Sequence, residues 1–147
     1  MNNDDLLLLD NQVCFPLYAC ARKVVNAYTP YLSELNLTYT QYLTMMVMWE
    51  VGEISVKDLG KRLYLDSGTL TPVIKKLCSM DYISKSRATD DERVVVVRLT
   101  EQGRALKEKA YMVPQKLICR ISQSKGFSPD EAQTLKALLL KLLHTVE

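Results

Sequence analysis

Cys14 is the residue of this sequence whose surroundings best fit chemistry at a side chain. It lies two residues before Pro16. Because proline fits the first turn of a helix, the pattern predicts a helix that begins near Cys14, or one that begins near Asp10 and bends at the proline. A helix N-terminus favours the thiolate, the form that peroxides oxidise. Since buried cysteines are more often inert packing residues, the residues alone favour a packing role for Cys14 and leave the redox role as the alternative.

Tyrosines are concentrated in the same part of the chain. Five of the eight fall in the first third, at positions 18, 28, 31, 39 and 42. Phenol hydroxyls can donate hydrogen bonds to a thiolate, but buried tyrosines also serve as core residues with the hydroxyl at the surface. The packing interpretation fits Tyr31 and Tyr42 best. We also expect Cys20 and Cys78 to be packing residues.

Several classes of protein are excluded by what the sequence lacks. The four cysteines form no CxxC pair and His144 has no partner at zinc-finger spacing, so we expect no metal, no cofactor and no secreted disulfide framework. The four leucines at 6–9 follow two aspartates and are too few for a signal peptide, and no stretch could span a membrane. We therefore expect a cytoplasmic protein with no membrane partner.

The first half of the chain has the pattern of a helix-turn-helix protein. The 147 residues fit a single domain covering 1–147. Apolar spacing predicts a first helix within 10–35, and a capping box at Thr38 opens a second helix that runs to about Glu50. Ser55 opens a short third helix, and Asp66 with Ser67 caps a fourth. Two short helices with a tight connection present the second of them to a DNA groove.

The next segment predicts a wing. Two β-prone runs at 82–87 and 94–99 are joined by a polar segment and read as a hairpin, so the winged helix-turn-helix lobe spans 53–100. We expect one face of the valine run at 94–97 to pack against the fourth helix. The predicted fold is therefore mainly α with a small β-hairpin wing.

The C-terminal helices predict a dimer. Thr100 can cap a long helix through Lys125 that is interrupted by Pro114, and Ser128 caps a last helix that is nearly all leucine. Those leucines cover too much of the helix circumference for a monomer, so a partner subunit is the natural place to bury them. We expect the chain to dimerise through residues 10–35 and 101–147.

Charge and side-chain chemistry both indicate DNA as a partner. Residues 57–125 hold 15 Lys and Arg against 8 Asp and Glu, whereas the rest of the chain is net acidic. The fourth helix places hydroxyls and backbone N–H groups at its positive end, and Arg93 at the hairpin tip could probe a minor groove with Asp91 holding its guanidinium. An ordinary capped helix and a plain polar turn are the alternatives. The candidate DNA-binding residues are Ser67, Gly68, Thr69, Thr71, Pro72, Lys75, Lys76, Asp91 and Arg93.

The motifs at 66–72, 90–93 and 97–100, with Gly103, together resemble the multiple antibiotic resistance regulator (MarR) family of dimeric winged-helix repressors. The likeness covers about residues 10 to 145. Residues 9–19 are similar to the organic hydroperoxide resistance regulator branch of that family, in which the reactive cysteine occupies the position of Cys14. The resemblance therefore favours a reactive Cys14 over a packing residue.

The same resemblance implies roles for other residues. Tyrosines that match Tyr28 and Tyr39 donate hydrogen bonds to the reactive sulfur from the partner subunit, and one that matches Tyr18 lies nearby. Cys119 follows Cys14 by 105 residues and matches the resolving cysteine of two-cysteine members. The implied product of oxidation is an intersubunit disulfide, which requires the two helices to come together.

We therefore predict a homodimeric, redox-sensing repressor that leaves double-stranded operator DNA when an organic hydroperoxide oxidises Cys14. One alternative is a repressor of the same family that binds a small aromatic ligand, and another is a sensor of quinones or hypochlorite. A thiol peroxidase is a remote alternative, because the sequence offers no CxxC and no general base near Cys14. We do not expect an enzyme.

Overall fold

The computed structural model describes residues 3–122 and 126–146 of the chain. It contains two compact units, Met1–Tyr111 and Met112–Glu147. The first unit holds both Cys14 and the helix-turn-helix, whereas the second holds Cys119. That the whole chain forms one domain stays a prediction, and the predicted helix end at Lys125 lies outside the described residues. No helix in the described ranges has the length and apolar content needed to cross a bilayer.

The fold is mainly helical with a small antiparallel sheet, which confirms the predicted class. Two 3-10 turns, Asn3–Leu7 and Leu9–Asn11, precede the first α-helix. The elements of the first unit are α1 (Cys14–Ser33), α2 (Tyr39–Val51), β1 (Glu53–Ser55), α3 (Val56–Leu63), α4 (Ser67–Ser79), β2 (Ile83–Arg87), β3 (Val95–Leu99) and α5 (Glu101–Ala110). The second unit contains α6 (Met112–Ser122) and α7 (Pro129–Thr145).

Helix α1 begins at Cys14, which decides between the two predicted starts. Pro16 falls in its first turn, where the missing N–H would have no intrahelical acceptor. The apolar stripe of this helix, predicted to be buried, is buried only at Leu32 in the single chain, and Val13 at its start is 77% exposed. A second surface is needed to cover the rest of the stripe.

Helix α2 provides much of the core of the first unit. The predicted capping box is present, since Thr38 accepts a hydrogen bond from the N–H of Gln41 and the Gln41 side chain accepts one from the N–H of Thr38. Met45 and Met48 are fully buried. The indole N–H of Trp49 donates to a main-chain oxygen of α5 at 2.8 Å, which ties the two helices together.

The sheet has three strands in the order β1-β3-β2, so the predicted hairpin gains a short strand that the sequence pattern did not reveal. Ile54 of β1 lies opposite Val97 of β3, and Ile83 of β2 lies opposite Leu99. The main helical contacts of β3 are with α3 and α2, and those of β2 are with α4. Packing of the valines against the fourth helix stays a prediction.

The break after α5 comes earlier than predicted. The sequence places the interruption at Pro114, whereas α5 ends at Ala110 and α6 begins after Tyr111. Because the proline ring clashes with the carbonyl four residues before it and offers no N–H to that carbonyl, the helix is lost at residue 110. Pro114 itself lies in the first turn of α6.

Helix α7 begins as predicted, with a capping box formed by Ser128 and Glu131 and with Pro129 in its first position. No residue of this helix is buried in the single chain, and Leu138 is 59% exposed. An amphipathic helix with this much exposed leucine requires an apolar partner surface.

Candidate DNA interface and redox site

The start of α4 is fixed by Asp66. Its carboxylate accepts hydrogen bonds from the N–H of Thr69 at 2.8 Å and from the Thr69 hydroxyl at 3.1 Å. These bonds hold the pKa of the Asp66 carboxyl below its usual range. The cap is therefore fully formed at neutral pH, and its contribution to stability is lost only as the pH falls through the lowered pKa.

The candidate DNA-binding residues of α4 share one surface. Leu70, Ile74 and Leu77 face the core and are buried. The predicted contact residues are all exposed: Ser67, Gly68, Thr69, Thr71, Pro72, Lys75 and Lys76. The helix thus separates a core face from a polar face of hydroxyls and lysines, as a recognition helix must.

The hairpin tip holds Arg93 in the geometry that the sequence predicts. The guanidinium donates to the carboxylate of Asp91 through Nε at 3.0 Å and through Nη2 at 3.2 Å, and the Arg93 N–H donates to the same carboxylate at 3.0 Å. These contacts keep the pKa of Asp91 below its usual value. Arg93 is nevertheless 91% exposed, so its guanidinium is oriented but still accessible to DNA.

The base of the wing is held by a residue that sequence reasoning missed. Arg98 of β3 donates to the carboxylate of Glu53 through Nε at 2.6 Å and through Nη2 at 3.1 Å, and it also donates to the hydroxyl of Ser86. One side chain therefore bridges all three strands. This bridge fixes the strand that leads to Arg93.

Cys14 lies exposed as the first residue of α1. Tyr18 and Arg22 follow at intervals of four residues, so the three side chains lie along one face of the helix. The Arg22 guanidinium donates to the Tyr18 hydroxyl oxygen at 3.3 Å and lies 5.5 Å from the centre of its ring. Arg22 was not among the predicted site residues, although the four-residue spacing could have indicated it.

Tyr28 and Tyr39 meet in the structure, with ring centroids 4.9 Å apart. Tyr42 joins them at 6.0 Å from Tyr28 and contacts Trp49 at 6.3 Å. Burial raises the pKa of all three tyrosines, with the neighbouring phenols adding to the effect for Tyr28 and Tyr42. Their hydroxyls therefore stay protonated and can act as hydrogen-bond donors at neutral pH.

Within one chain, Cys14 and Tyr28 cannot meet. They lie on the same helix 14 residues apart, a separation of about 21 Å along the helix axis. Tyr28, and Tyr39 that lies against it, could therefore reach the sulfur only from another subunit.

The remaining cysteines lie in different surroundings. Cys119 is exposed on α6, and Cys20 is exposed in the single chain. Cys78 is half-buried, and this burial raises the pKa of its thiol although Lys85 opposes the effect. None of the four cysteines, all within the described ranges, forms a disulfide. Among the described residues, no three His, Cys, Asp or Glu side chains group as metal ligands would.

Comparison with known proteins places this architecture in a family. The model of the transcriptional regulator SarA/Rot family matches residues 26–110. The organic hydroperoxide resistance transcriptional regulator of Bacillus subtilis is 42% identical over 145 residues, which cover 99% of this chain and 96% of that protein. The chain belongs to the MarR/SarA family of winged-helix transcriptional regulators. It is thus a DNA-binding transcriptional regulator.

Other members of the MarR/SarA family agree with this assignment. The regulator SarZ of Staphylococcus aureus is 37% identical over 133 residues, 90% of each chain. The structure of reduced AbfR bound to DNA has a TM-score of 0.76 at 26% identity, over 99% of this chain and 100% of that one. A MarR variant from E. coli complexed with operator DNA has a TM-score of 0.77 at 29% identity, over 86% and 90%. The matched proteins are regulators rather than enzymes.

Proposed function

We propose that this regulator is a homodimeric repressor that leaves its operator when an organic hydroperoxide oxidises Cys14. The observation that carries the proposal is an exposed thiol at the first residue of α1, in a chain 42% identical to an organic hydroperoxide resistance regulator. Oxidation changes both the charge and the size of that side chain. A cytoplasmic location stays a prediction.

The DNA-binding side of the proposal rests on α4 and the wing. In a dimer, two α4 helices enter successive major grooves about 34 Å apart. The hydroxyls and lysines of the exposed α4 face then contact base edges and phosphates, while Arg93, oriented by Asp91, enters the adjacent minor groove.

The redox side of the proposal requires the dimer. Tyr28 lies about 21 Å along α1 from Cys14 and Tyr39 packs against Tyr28, so in this proposal both donate to the Cys14 sulfur from the partner subunit. Their raised pKa values keep them protonated for that role. The first unit exposes apolar side chains on α1 and the second unit exposes leucines on α7, and each set supports burial against a partner chain.

Tyr18 completes the proposed surroundings of the sulfur from the same chain. Arg22 donates to the Tyr18 oxygen, so the phenol proton is left for another acceptor. Tyr18 lies one helical turn after Cys14, where its side chain points back toward the start of α1.

The chemistry is a two-electron oxidation of sulfur. The Cys14 thiolate attacks the terminal oxygen of the hydroperoxide, the O–O bond breaks, and the alkoxide leaves as an alcohol after taking a proton. The resulting sulfenic acid condenses with the thiol of Cys119 of the partner subunit, or with a small thiol, and releases water as the S–S bond forms. The rearranged dimer no longer matches the groove spacing.

The proposal is tested by titrating the reduced protein on labelled operator DNA with cumene hydroperoxide, and separately with salicylate, while fluorescence anisotropy reports binding. We expect release by the peroxide, reversal by dithiothreitol, and no release by salicylate. Release by salicylate alone, with every thiol still reduced, would replace redox sensing with the aromatic-ligand alternative.

Cys119→Ser tests the resolving role of Cys119. After peroxide treatment, the wild-type protein should run as a covalent dimer on a non-reducing gel, and Cys119→Ser should not, because the sulfenic acid lacks its partner thiol. Cys20→Ser removes another exposed cysteine and serves as the matched control that keeps the covalent dimer. Persistence of the dimer in Cys119→Ser would remove Cys119 from the mechanism.

A further inference from the structure

A cleft of about 510 Å³ lies between the start of α3 and the wing. Lys57 and Lys61 line it from α3, and Arg93 lines it from the wing, together with valines of both elements. The cleft therefore brings the wing-tip arginine and two lysines of the other helix-turn-helix helix to one surface. None of the predicted DNA-binding residues comes from α3.

The cleft carries a net positive charge that its own lining does not neutralise. The single carboxylate of the lining, Asp58, accepts a hydrogen bond from the Ser55 hydroxyl at 2.7 Å and lies 3.9 Å from the Lys61 ammonium. That ion pair is long and exposed, so it contributes little. Lys57 has no ion-pair partner in the described part of the chain.

The other cation of α3 is in a different situation. Arg62 forms an ion pair with Glu50 of α2 at 2.5 Å, so the charge of Arg62 is neutralised within the protein. Lys57 and Lys61 are the basic side chains of α3 left to bind an external anion. With Arg93 and against Asp58, they give the lining of the cleft a net charge of about +2 at neutral pH, which Asp91, the carboxylate that pairs with Arg93 beside the lining, reduces to about +1.

We propose that this cleft binds the DNA backbone, with Lys57 and Lys61 contacting phosphates that flank the minor groove entered by Arg93. The inference rests on the proposed DNA contact of the wing. The first helix of a helix-turn-helix crosses the backbone, and phosphate contacts position a protein without reading sequence. A small aromatic ligand fits less well, since such ligands need burial of most of their surface and Lys61 is 69% exposed.

The salt dependence of binding measures these interactions directly. Removal of one lysine–phosphate interaction should reduce the slope of log K against log salt concentration by about 0.9. Because both subunits of the dimer lose the lysine, we expect Lys57→Gln and Lys61→Gln each to reduce the slope by about 1.8, and the double variant by about 3.6. Near 0.1 M salt, each should weaken binding by roughly 60-fold. The weakening should be equal on operator and random duplexes.

The control removes the same charge elsewhere. Lys109 is an exposed lysine of α5 outside the cleft, and Lys109→Gln should leave the slope close to that of wild type. Lys57→Arg should keep the wild-type slope that Lys57→Gln reduces, because arginine keeps the charge. Ethylation of the phosphates beside the minor groove should weaken the wild-type protein and have little further effect on the double variant.

Three results would overturn the proposal: an unchanged slope in the double variant, a change equal to that of Lys109→Gln, or a weakening confined to operator DNA. Ethylation interference uses the wild-type protein, so it stays decisive if a variant folds poorly. All measurements are made on reduced protein. A failure of peroxide sensing would therefore leave this test intact, and a failed cleft would leave peroxide release unaffected.

Discussion

Cys14→Ser is expected to stay bound to operator DNA at peroxide concentrations that release the wild-type protein completely. Serine keeps a small polar side chain at the exposed first position of α1, so neither packing nor the fold should change. Serine cannot form a sulfenic acid, however, so the oxidation that drives release of the operator DNA is lost. The effect should be a complete loss of response, with the affinity of the reduced protein unchanged.

Titration of both proteins with cumene hydroperoxide on labelled operator DNA measures this effect. Cys20→Ser is the matched control, since Cys20 is also an exposed cysteine of α1, and it should be released as wild type is. Peroxide-driven release of Cys14→Ser at the wild-type concentration would show that another group carries the signal.

Gly103→Ala is expected to destabilise the first unit strongly. A Cβ at this position would lie 2.0 Å from the carbonyl oxygen of Tyr82 and 2.9 Å from Cδ1 of Leu99. The atom that the new methyl group would meet is a main-chain oxygen, that of Tyr82, which already accepts a hydrogen bond from the N–H of Thr100. The Gly103 oxygen also accepts from the indole of Trp49, so neither side can move without breaking a hydrogen bond.

Overpacking of this kind costs about 3 kcal/mol or more where the backbone cannot move. For a chain of this length, that destabilisation should lower the melting temperature by roughly 6 to 12 °C. The single tryptophan reports unfolding by fluorescence. Gly68→Ala is the control, because the nearest atom there is a side-chain oxygen of Asp66 at 3.0 Å. Equal melting temperatures for Gly103→Ala and wild type would contradict the packing described for α5.

Helix starts could be predicted because the signals are local. Thr38, Ser55, Asp66 and Ser128 each accept a hydrogen bond from an N–H three residues later, a contact that the sequence itself brings within reach. The short strand β1 could not be predicted, since it has three residues and its pairing partner β3 lies about 40 residues away.

The same distinction between local and long-range contacts applies to the candidate site. Asp91 and Arg93 are two residues apart, so their ion pair could be predicted from the sequence. The bridge from Arg98 to Glu53 spans 45 residues and depends on the sheet, and the lysine cleft depends on the fold of the wing beside α3. The family resemblance implied a role for Tyr28, but its contact with Tyr42 was not predicted, because that contact joins two helices.

Oxidation of Cys14 itself is expected to release the DNA. The most direct measurement follows operator occupancy and the mass of each cysteine-containing peptide in the same samples during a cumene hydroperoxide titration, with dimedone trapping sulfenic acid. We expect the released fraction to rise with the oxidised fraction of Cys14, while Cys20 and Cys78 stay reduced. Full release of the operator while Cys14 is still reduced would contradict the account.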